Sequence, residues 1–397
     1  MTDTGCCPSC GAPLVDEACA ECERLRLTGL IQREAIVLAS LIAITIAAFV
    51  LTRMAAAHDR ASAERAAATW FDAGRQALAH GDGDRAVAGF RQAALNAPDT
   101  VRYQLSLAEA LARTDRSSEA RRILLRLRET EPETAEIALA LARLAVGRGD
   151  VPEATRYYHH ALYGVWNGSA IIEPAREQAL RIELIRVLLD HRLDSQALSQ
   201  TLLLAQHLPD DARAHRETGR LFLQAGSPSN ALDHFVRAIA LESADTAALA
   251  GAVEAAFALR DYGRAGSFLR RLRKAGDMPE GAADLAPVID LILTGDPLAP
   301  RLSSADRARR LAAALDRALA RASSCRPAPP ELTRALGDAR ALRPLIRPAA
   351  IRRDRELTDG AFDLVLQLEE LSRACGQAAP MDRALLLLGQ KYANTPP

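Results

Sequence analysis

The chain has 397 residues, long enough for more than one domain, and its 50 basic and 50 acidic side chains give a formal net charge of zero. A zero balance excludes a globally basic nucleic-acid-binding protein, because phosphate binding requires a basic excess. Aromatic residues make up only 4% of the chain, while Ala, Leu, Arg and Glu are abundant, which favours an all-α fold over a β-sandwich or barrel.

The first feature along the chain is a cluster of cysteines. Two pairs each have two residues between the partners, and they consist of Cys7 and Cys10, then Cys19 and Cys22. This spacing lets both thiolates of a pair face one tetrahedral ion. The pairs resemble the short zinc ribbons at the start of many bacterial membrane-anchored proteins, which implies a structural zinc ion within residues 1–30. Cys6 competes with Cys7 as a ligand, and a pair of disulfides is the alternative to zinc.

The charge around these cysteines bears on what the predicted ribbon can contact. Residues 1–23 include acidic side chains but no Arg or Lys, so we expect no nucleic-acid contact. A structural or protein-docking role fits better. Because thiolates persist in a reducing compartment, we expect the ribbon to be cytoplasmic.

An apolar run without any charged side chain extends from residue 35 to residue 52. A helix of that length rises about 27 Å, close to the hydrocarbon thickness of a bilayer, so a single transmembrane helix is predicted at residues 35–53. A buried helix and a cleaved signal peptide are the alternatives, and the long segment before the run disfavours a signal peptide. Arginines flank both ends of the run, so the positive-inside rule does not decide the orientation. The cysteine chemistry then predicts a cytoplasmic N-terminus and an extracytoplasmic remainder.

From residue 67 the sequence repeats with a period of 34 residues. In the first unit, Gly74 and Ala86 are small, Phe90 is bulky, and Pro98 lies near the end. The small residues let two antiparallel helices approach closely, and the proline ends the second helix. Trp166, in an insertion after the third unit, is either a ligand anchor or a cap on that unit. Six units are predicted, at residues 67–100, 101–134, 135–168, 178–211, 212–245 and 246–279.

The period and the pattern resemble the tetratricopeptide repeat (TPR), a helix–turn–helix unit that stacks into a superhelix. The resemblance implies that residues 67–279 bind a protein or peptide in a concave groove lined by the first helices. The position that faces this groove in the family is occupied by Arg75, Glu109, Arg143, Arg186, Arg220 and Glu254. Because guanidinium groups suit carboxylates, the four arginines are a candidate site for an acidic peptide. A solvated arginine row in an arginine-rich chain is the alternative.

Beyond residue 280 the repeat fades, but a helical pattern continues to residue 397. Helices are predicted at about 304–323, 330–342, 359–375 and 381–392. Cys325 and Cys375 each end a predicted helix, with one antiparallel helix between them, so they are candidates for a disulfide in an oxidising compartment. Two unpaired buried cysteines are the alternative. Residues 301–355 hold 14 arginines against 5 acidic residues, a local excess that suits an acidic protein, an anionic polymer or a lipid.

No motif carries catalytic chemistry: the chain lacks a nucleotide-binding glycine loop and a nucleophile elbow, so we expect no enzyme. The sequence predicts a single-pass protein of the cytoplasmic membrane that acts as a protein–protein interaction scaffold, with the repeats outside the cytoplasm. The alternative is a transmembrane signalling or regulatory protein that couples occupancy of the repeats to the cytoplasmic zinc ribbon.

Overall fold

The computed structural model describes residues 7, 8, 10, 20–166, 168–373, 375 and 379–393. These residues form eighteen α-helices and one 3-10 helix at Arg343–Leu345, and the described part of the chain holds no β-strand. The predicted all-α fold is therefore confirmed. Contacts divide the chain into two compact units, Met1–Ala170 and Ile171–Pro397.

In the first unit, each helix packs against the next one along the chain, and α3 also packs against α5. This pattern of neighbour contacts is typical of stacked helical repeats. The helices are α1 (Ala20–Ala79), α2 (Gly83–Asn96), α3 (Val101–Arg113), α4 (Ser117–Thr130), α5 (Ala135–Gly147) and α6 (Val151–Tyr163).

The helix α1 joins segments that the sequence analysis treats separately. It continues without a break from residues 20–30, within the predicted zinc ribbon, through the apolar run and into the first repeat. Side chains are exposed throughout residues 32–62, and Ala67 is the first fully buried residue. By length and composition, the stretch Gln32–Ala79 contains a segment able to cross a membrane.

Small residues at the repeated positions set the distance between paired helices. A Cβ atom added at Gly89 would lie 2.8 Å from the backbone nitrogen of Gly74, so α1 and α2 cross where both carry glycine. The ring of Phe90, only 2% exposed, fills the space beside Gly74, where an added Cβ atom would lie 2.8 Å from the ring. This close approach, with one aromatic side chain filling the remaining gap, is the packing that the repeated pattern predicts.

The second unit continues the helix pairs and ends in a bundle. The helices α7 to α12 stack in chain order, and α13 packs against α11, α12 and α18. The bounds are α7 (Pro174–Asp190), α8 (Asp194–Ala205), α9 (Ala212–Gln224), α10 (Pro228–Leu241), α11 (Thr246–Ala258), α12 (Tyr262–Ala275), α13 (Glu280–Gly295), α14 (Ser304–Ser323), α15 (Pro330–Leu342), α16 (Pro348–Arg353), α17 (Arg355–Leu371) and α18 (Pro380–Ala393).

The C-terminal bundle, α14 to α18, encloses a buried charged network. Arg321 on α14 lies 2.5 Å from a carboxylate oxygen of Glu369 on α17 and 3.8 Å from one of Asp382 on α18. Burial raises the pKa of Glu369, and the nearby charge of Asp382 raises it further, while Arg321 lowers it. One guanidinium group therefore serves two buried carboxyl groups.

A disulfide lies at the ends of two bundle helices. Cys325 follows α14, Cys375 follows α17, and their Cα atoms are 5.1 Å apart. Two helices, α15 and α16, lie between α14 and α17 along the chain, rather than the single antiparallel helix expected from sequence. The short α16 packs against both α14 and α17.

Candidate functional site

The six predicted groove positions all lie on the first helix of a helix pair. Five of them are exposed, and Glu254 is half-buried. They are Arg75 on α1, Glu109 on α3, Arg143 on α5, Arg186 on α7, Arg220 on α9 and Glu254 on α11. Two arginines and one glutamate therefore occur in each unit.

In the first unit, the side chains at these positions interact with oppositely charged side chains of the protein itself. A guanidinium nitrogen of Arg75 lies 3.7 Å from a carboxylate oxygen of Asp72, one helical turn away. Partial burial raises the pKa of Glu109, against the opposing effect of the positive charges of Arg143 and Arg113. The groove face of the first unit is therefore of mixed charge and not a row of available arginines.

In the second unit, three groove positions line one cavity. The cavity is about 750 Å³ in volume and is bordered by α7, α9 and α11, with Arg186, Arg220 and Glu254 among its lining residues. Within the described part of the chain, neither arginine has a carboxylate oxygen within 4.0 Å. We call this cavity the groove pocket. It brings together two of the four predicted arginines with both guanidinium groups open to a ligand.

The walls of the groove pocket combine apolar and charged side chains. Phe235 and Leu221 are buried, and Ile182 is half-buried. Four arginines and four acidic residues line it, so its formal charge is zero; they are Arg186, Arg192, Arg216, Arg220, Asp190, Asp194, Glu217 and Glu254. Arg216 is bound to the buried carboxylate of Asp245. Any preference for an acidic ligand must therefore arise from where the unpaired arginines lie, since the net charge gives none.

Glu254 introduces a negative group at the α11 side of the groove pocket. Burial raises the pKa of this carboxyl group. A Cβ atom added at Gly281 would lie 2.5 Å from a carboxylate oxygen of Glu254, so the glycine at the start of α13 leaves the space that the carboxylate occupies. Gly281 is a residue of the site that the repeat pattern does not predict. One sequence feature could have identified Gly281. It lies two residues after Pro279 in the first turn of a helix, where glycine is unfavourable unless a larger side chain would clash.

The predicted zinc ligands are only partly within the described chain. Cys7 is buried and Cys10 is exposed, whereas Cys19 and the side chain of Cys22 lie outside the described residues. Among the residues that the structure describes, no three or more His, Cys, Asp or Glu side chains form a group able to hold a metal ion. The zinc site stays a prediction.

The side chain of Trp166 is buried within the insertion after the third helix pair. Its side chain is 7% exposed, and its indole N–H donates to the carbonyl oxygen of Ala161, 2.8 Å away, at the end of α6. The backbone of the same insertion pairs with the start of α5, since Ala135 N–H donates to Val165 O at 3.0 Å. Trp166 therefore caps the third helix pair, and its ring is not available as a ligand anchor.

Comparison with known proteins supports the repeat assignment over part of the chain. The sequence model of the tetratricopeptide repeat family matches residues 77–144. No curated protein matches the chain.

Several solved structures resemble the chain with low sequence identity. PilF of Pseudomonas aeruginosa is 14% identical, with 57% of this chain and 99% of that one covered and a TM-score of 0.40. YrrB, described as a TPR protein with an unusual peptide-binding site, is 16% identical, with 50% and 97% covered and a TM-score of 0.40. A tetratricopeptide repeat protein from Parabacteroides merdae is 11% identical, with 82% and 99% covered and a TM-score of 0.39. The family match, together with the stacked helix pairs, identifies an all-α helical-repeat fold of the TPR type.

Proposed function

We propose that this protein is a membrane-anchored scaffold that binds partner proteins or peptides through its TPR helices. TPR proteins generally mediate protein–protein interactions, and in this fold the first helices of neighbouring helix pairs stack against one another. The observation that carries the proposal is the groove pocket, where Arg186 and Arg220 have no carboxylate partner among the described residues.

The groove pocket favours an extended segment that carries an acidic side chain beside an apolar one. Arg186 and Arg220 bind the carboxylate, since guanidinium groups form charge-assisted hydrogen bonds with it. The half-buried Ile182 and Leu223 offer apolar contact for the neighbouring side chain. Glu254, on the next first helix, accepts an N–H group or a basic side chain, which gives the bound segment a direction.

Peptide binding to the full chain in nanodiscs tests this proposal. The probes are a fluorescein-labelled ten-residue peptide of alternating Glu and Leu and its Gln/Leu counterpart, compared by fluorescence anisotropy. We expect the Glu peptide to bind at least ten-fold more tightly. The double variant Arg186→Gln/Arg220→Gln should remove the difference, while Arg264→Gln, an exposed arginine on α12, should keep it. Equal binding of both peptides by the unmodified chain contradicts the proposed role of the two arginines.

The proposed location is the cytoplasmic membrane, with residues 35–52 in the bilayer, the N-terminus in the cytoplasm and the repeats outside. The support is the exposed apolar stretch of α1 and the disulfide between Cys325 and Cys375, which favours an oxidising compartment. Alkylation of the two cysteines in cells, with and without a membrane-impermeant reductant, tests the orientation. We expect modification only after reduction. Two reactive thiols in the untreated protein contradict it.

Structural zinc at Cys7, Cys10, Cys19 and Cys22 belongs to the same proposal, on the strength of the spacing within each pair. When bound, zinc would hold the two pairs together and add no reaction chemistry. Elemental analysis of the purified full chain should find one zinc per chain, lost in Cys10→Ser. The same zinc content in that variant contradicts the ligand assignment.

A second function, transmembrane signalling, is favoured by one observation: α1 runs unbroken from residue 20 to the first repeat. Such a helix couples its two ends mechanically. Deletion of residues 1–30 separates the two functions. Under the scaffold proposal, assembly with partners persists and nothing else changes. Loss of a downstream response with assembly intact supports signalling instead.

A further inference from the structure

A second cavity lies in the C-terminal bundle and shares no lining residue with the groove pocket. It is about 800 Å³ in volume, within the size range of small-molecule sites, and borders α14, α16, α17 and α18. We call it the bundle pocket. Its lining residues on these helices include four arginines, namely Arg307, Arg352, Arg353 and Arg355.

Three of these arginines have no acidic partner. Within the described residues, no carboxylate oxygen lies within 4.0 Å of Arg307, Arg352 or Arg353. Arg352 donates only a long bond, 3.4 Å, to the hydroxyl of Ser304. Arg355 lies 3.7 Å from Asp359 and is almost fully exposed. Many other arginines of this chain are ion-paired, so the bundle pocket concentrates positive charge that the protein leaves uncompensated.

Arg307 is the most informative of the four. Its Nε atom is buried and has no hydrogen-bond partner, and one terminal nitrogen donates a weak bond to Ala299 O at 3.4 Å. The nearby carboxylate of Asp296 is already satisfied by the hydroxyl of Tyr392 at 2.8 Å and by Leu298 N–H at 2.9 Å. A buried guanidinium N–H without an acceptor is unfavourable, so movement of this half-buried side chain toward an anion in the pocket would be favoured.

The rest of the bundle pocket is partly apolar. Ile351 and Phe362 are buried, and Leu298 and Leu366 are half-buried. Asp359 and Asp363 are the acidic lining residues, and both are exposed. The arginines therefore outnumber the acids, and apolar surface lies beside them.

We propose that the bundle pocket binds a small amphipathic anion, with a phosphate or carboxylate group on the arginines and an apolar body against the half-buried Leu298 and Leu366. Phosphate and carboxylate both match the guanidinium fork. A soluble organic phosphate and the head group of a lipid present the same chemistry, and the test separates these two sources. The site is independent of the groove pocket and does not rest on the proposed scaffold function.

Calorimetric titration of the full chain in phosphatidylcholine nanodiscs tests the site with four probes. Phenyl phosphate should bind at least ten-fold more tightly than inorganic phosphate, and benzyl alcohol should not bind. Dihexanoyl phosphatidic acid is the lipid probe. Tighter binding than phenyl phosphate identifies a lipid head group as the source, and weaker binding identifies a soluble phosphate. Absence of phenyl phosphate binding at millimolar concentration overturns the proposal.

Variants connect the binding to the named side chains. Arg353→Gln changes an exposed residue and should weaken phenyl phosphate binding at least ten-fold, as should Arg307→Gln. The matched control is Arg334→Gln, an exposed arginine of α15 outside the pocket, which should bind like the unmodified chain. If Arg307→Gln does not fold, Arg353→Gln still decides, and unchanged binding by it overturns the assignment. Arg186→Gln/Arg220→Gln should leave phenyl phosphate binding unchanged, which separates this site from the groove pocket.

Discussion

The helical repeats and the C-terminal bundle stabilise stacked helices in different ways. In the repeats, ion pairs connect residues about one repeat apart: Arg91 with Glu119 and Arg121 with Glu153 in the first unit, and Arg237 with Asp210 in the second. In the bundle, two bonds join distant segments: Arg321 donates to Glu369, and the hydroxyl of Tyr392 donates to Asp296 at the end of α13.

The two regions should differ in how much unfolding free energy depends on a single contact. The three named repeat pairs are partly exposed and join successive helix pairs, so we expect the loss of any one of them to be small and confined. In the bundle, the pairing of Arg321 with Glu369 and Asp382 is buried and occurs once, so loss of its cation leaves uncompensated buried carboxyl groups. Amide hydrogen exchange measures opening of each region separately, which makes the comparison testable.

The largest effect is expected from Arg321→Met. Glu369 is fully buried and Asp382 nearly so, and removal of their shared cation should reduce the opening free energy of α17 by about 3–5 kcal/mol. Hydrogen exchange of α17 peptides provides the measurement. The control Arg309→Met breaks an exposed pair on the same helix and should change the value by less than about 0.5 kcal/mol. An equal, small effect of both variants would remove the distinction between the regions.

A smaller loss is expected from Gly251→Ala in the repeats. The added Cβ atom would lie within about 2.7 Å of ring atoms of Phe235, which is only 2% exposed. Displacement of a buried ring should cost about 1–3 kcal/mol, and exchange should accelerate in α10 and α11. If α11 becomes more protected, the ring is not confined as described.

The same substitution in the bundle, Gly337→Ala, should have the opposite sign. No atom lies within 4 Å of the added Cβ at this exposed position of α15. Alanine should therefore stabilise the helix by about 0.5–1 kcal/mol through its helix propensity alone. Slower exchange of α15 amides checks this. Destabilisation here would show that α15 packs more tightly than its exposure indicates.

The smallest expected effect is a difference in pH dependence between the regions. In the repeats, Nδ1 of His215 lies 3.1 Å from Nδ1 of His234, and burial, then the charge of His215, lowers the pKa of His234. Its folded pKa lies below the unfolded one, so its contribution to stability is present above the unfolded value and is lost as pH falls through the folded value. For Glu369 the folded pKa is raised, so its contribution is present below the unfolded value and is lost as pH rises through the folded value.

Exchange measured between pH 7.5 and 5, corrected for intrinsic rates, should therefore show α9 and α10 losing protection on acidification. His234→Leu should remove that loss, while His191→Leu, at an exposed position after α7, should retain it. A loss of protection that persists in His234→Leu would assign the pH dependence to other groups.

The repeats could be predicted from the sequence because the information that specifies them is local. Recurrent small residues, proline near the end of a unit and a fixed period place the helix pairs and the register of Arg186 and Arg220. The helix α16 and the bundle pocket could not be predicted in this way, because packing between α14 and α16 brings Arg307 and Arg353 together and no short pattern encodes that packing. The arginine excess over residues 301–355 was the one sequence feature that pointed to an anion-binding region. It indicated charge without indicating a cavity.

The unbroken course of α1 has a consequence for rotational phase. With residues 35–52 in a bilayer, residues 53–66 form a helical stalk of about 21 Å before Ala67, the first fully buried residue described in α1. Because the helix turns about 100° per residue, the azimuth of the first helix pair is locked to that of the membrane segment. One residue inserted in the stalk would turn the pair by about 100°, whereas seven would return it close to its original direction at greater height. The length of the stalk thus determines the direction in which the first helix pair faces as well as its distance from the membrane.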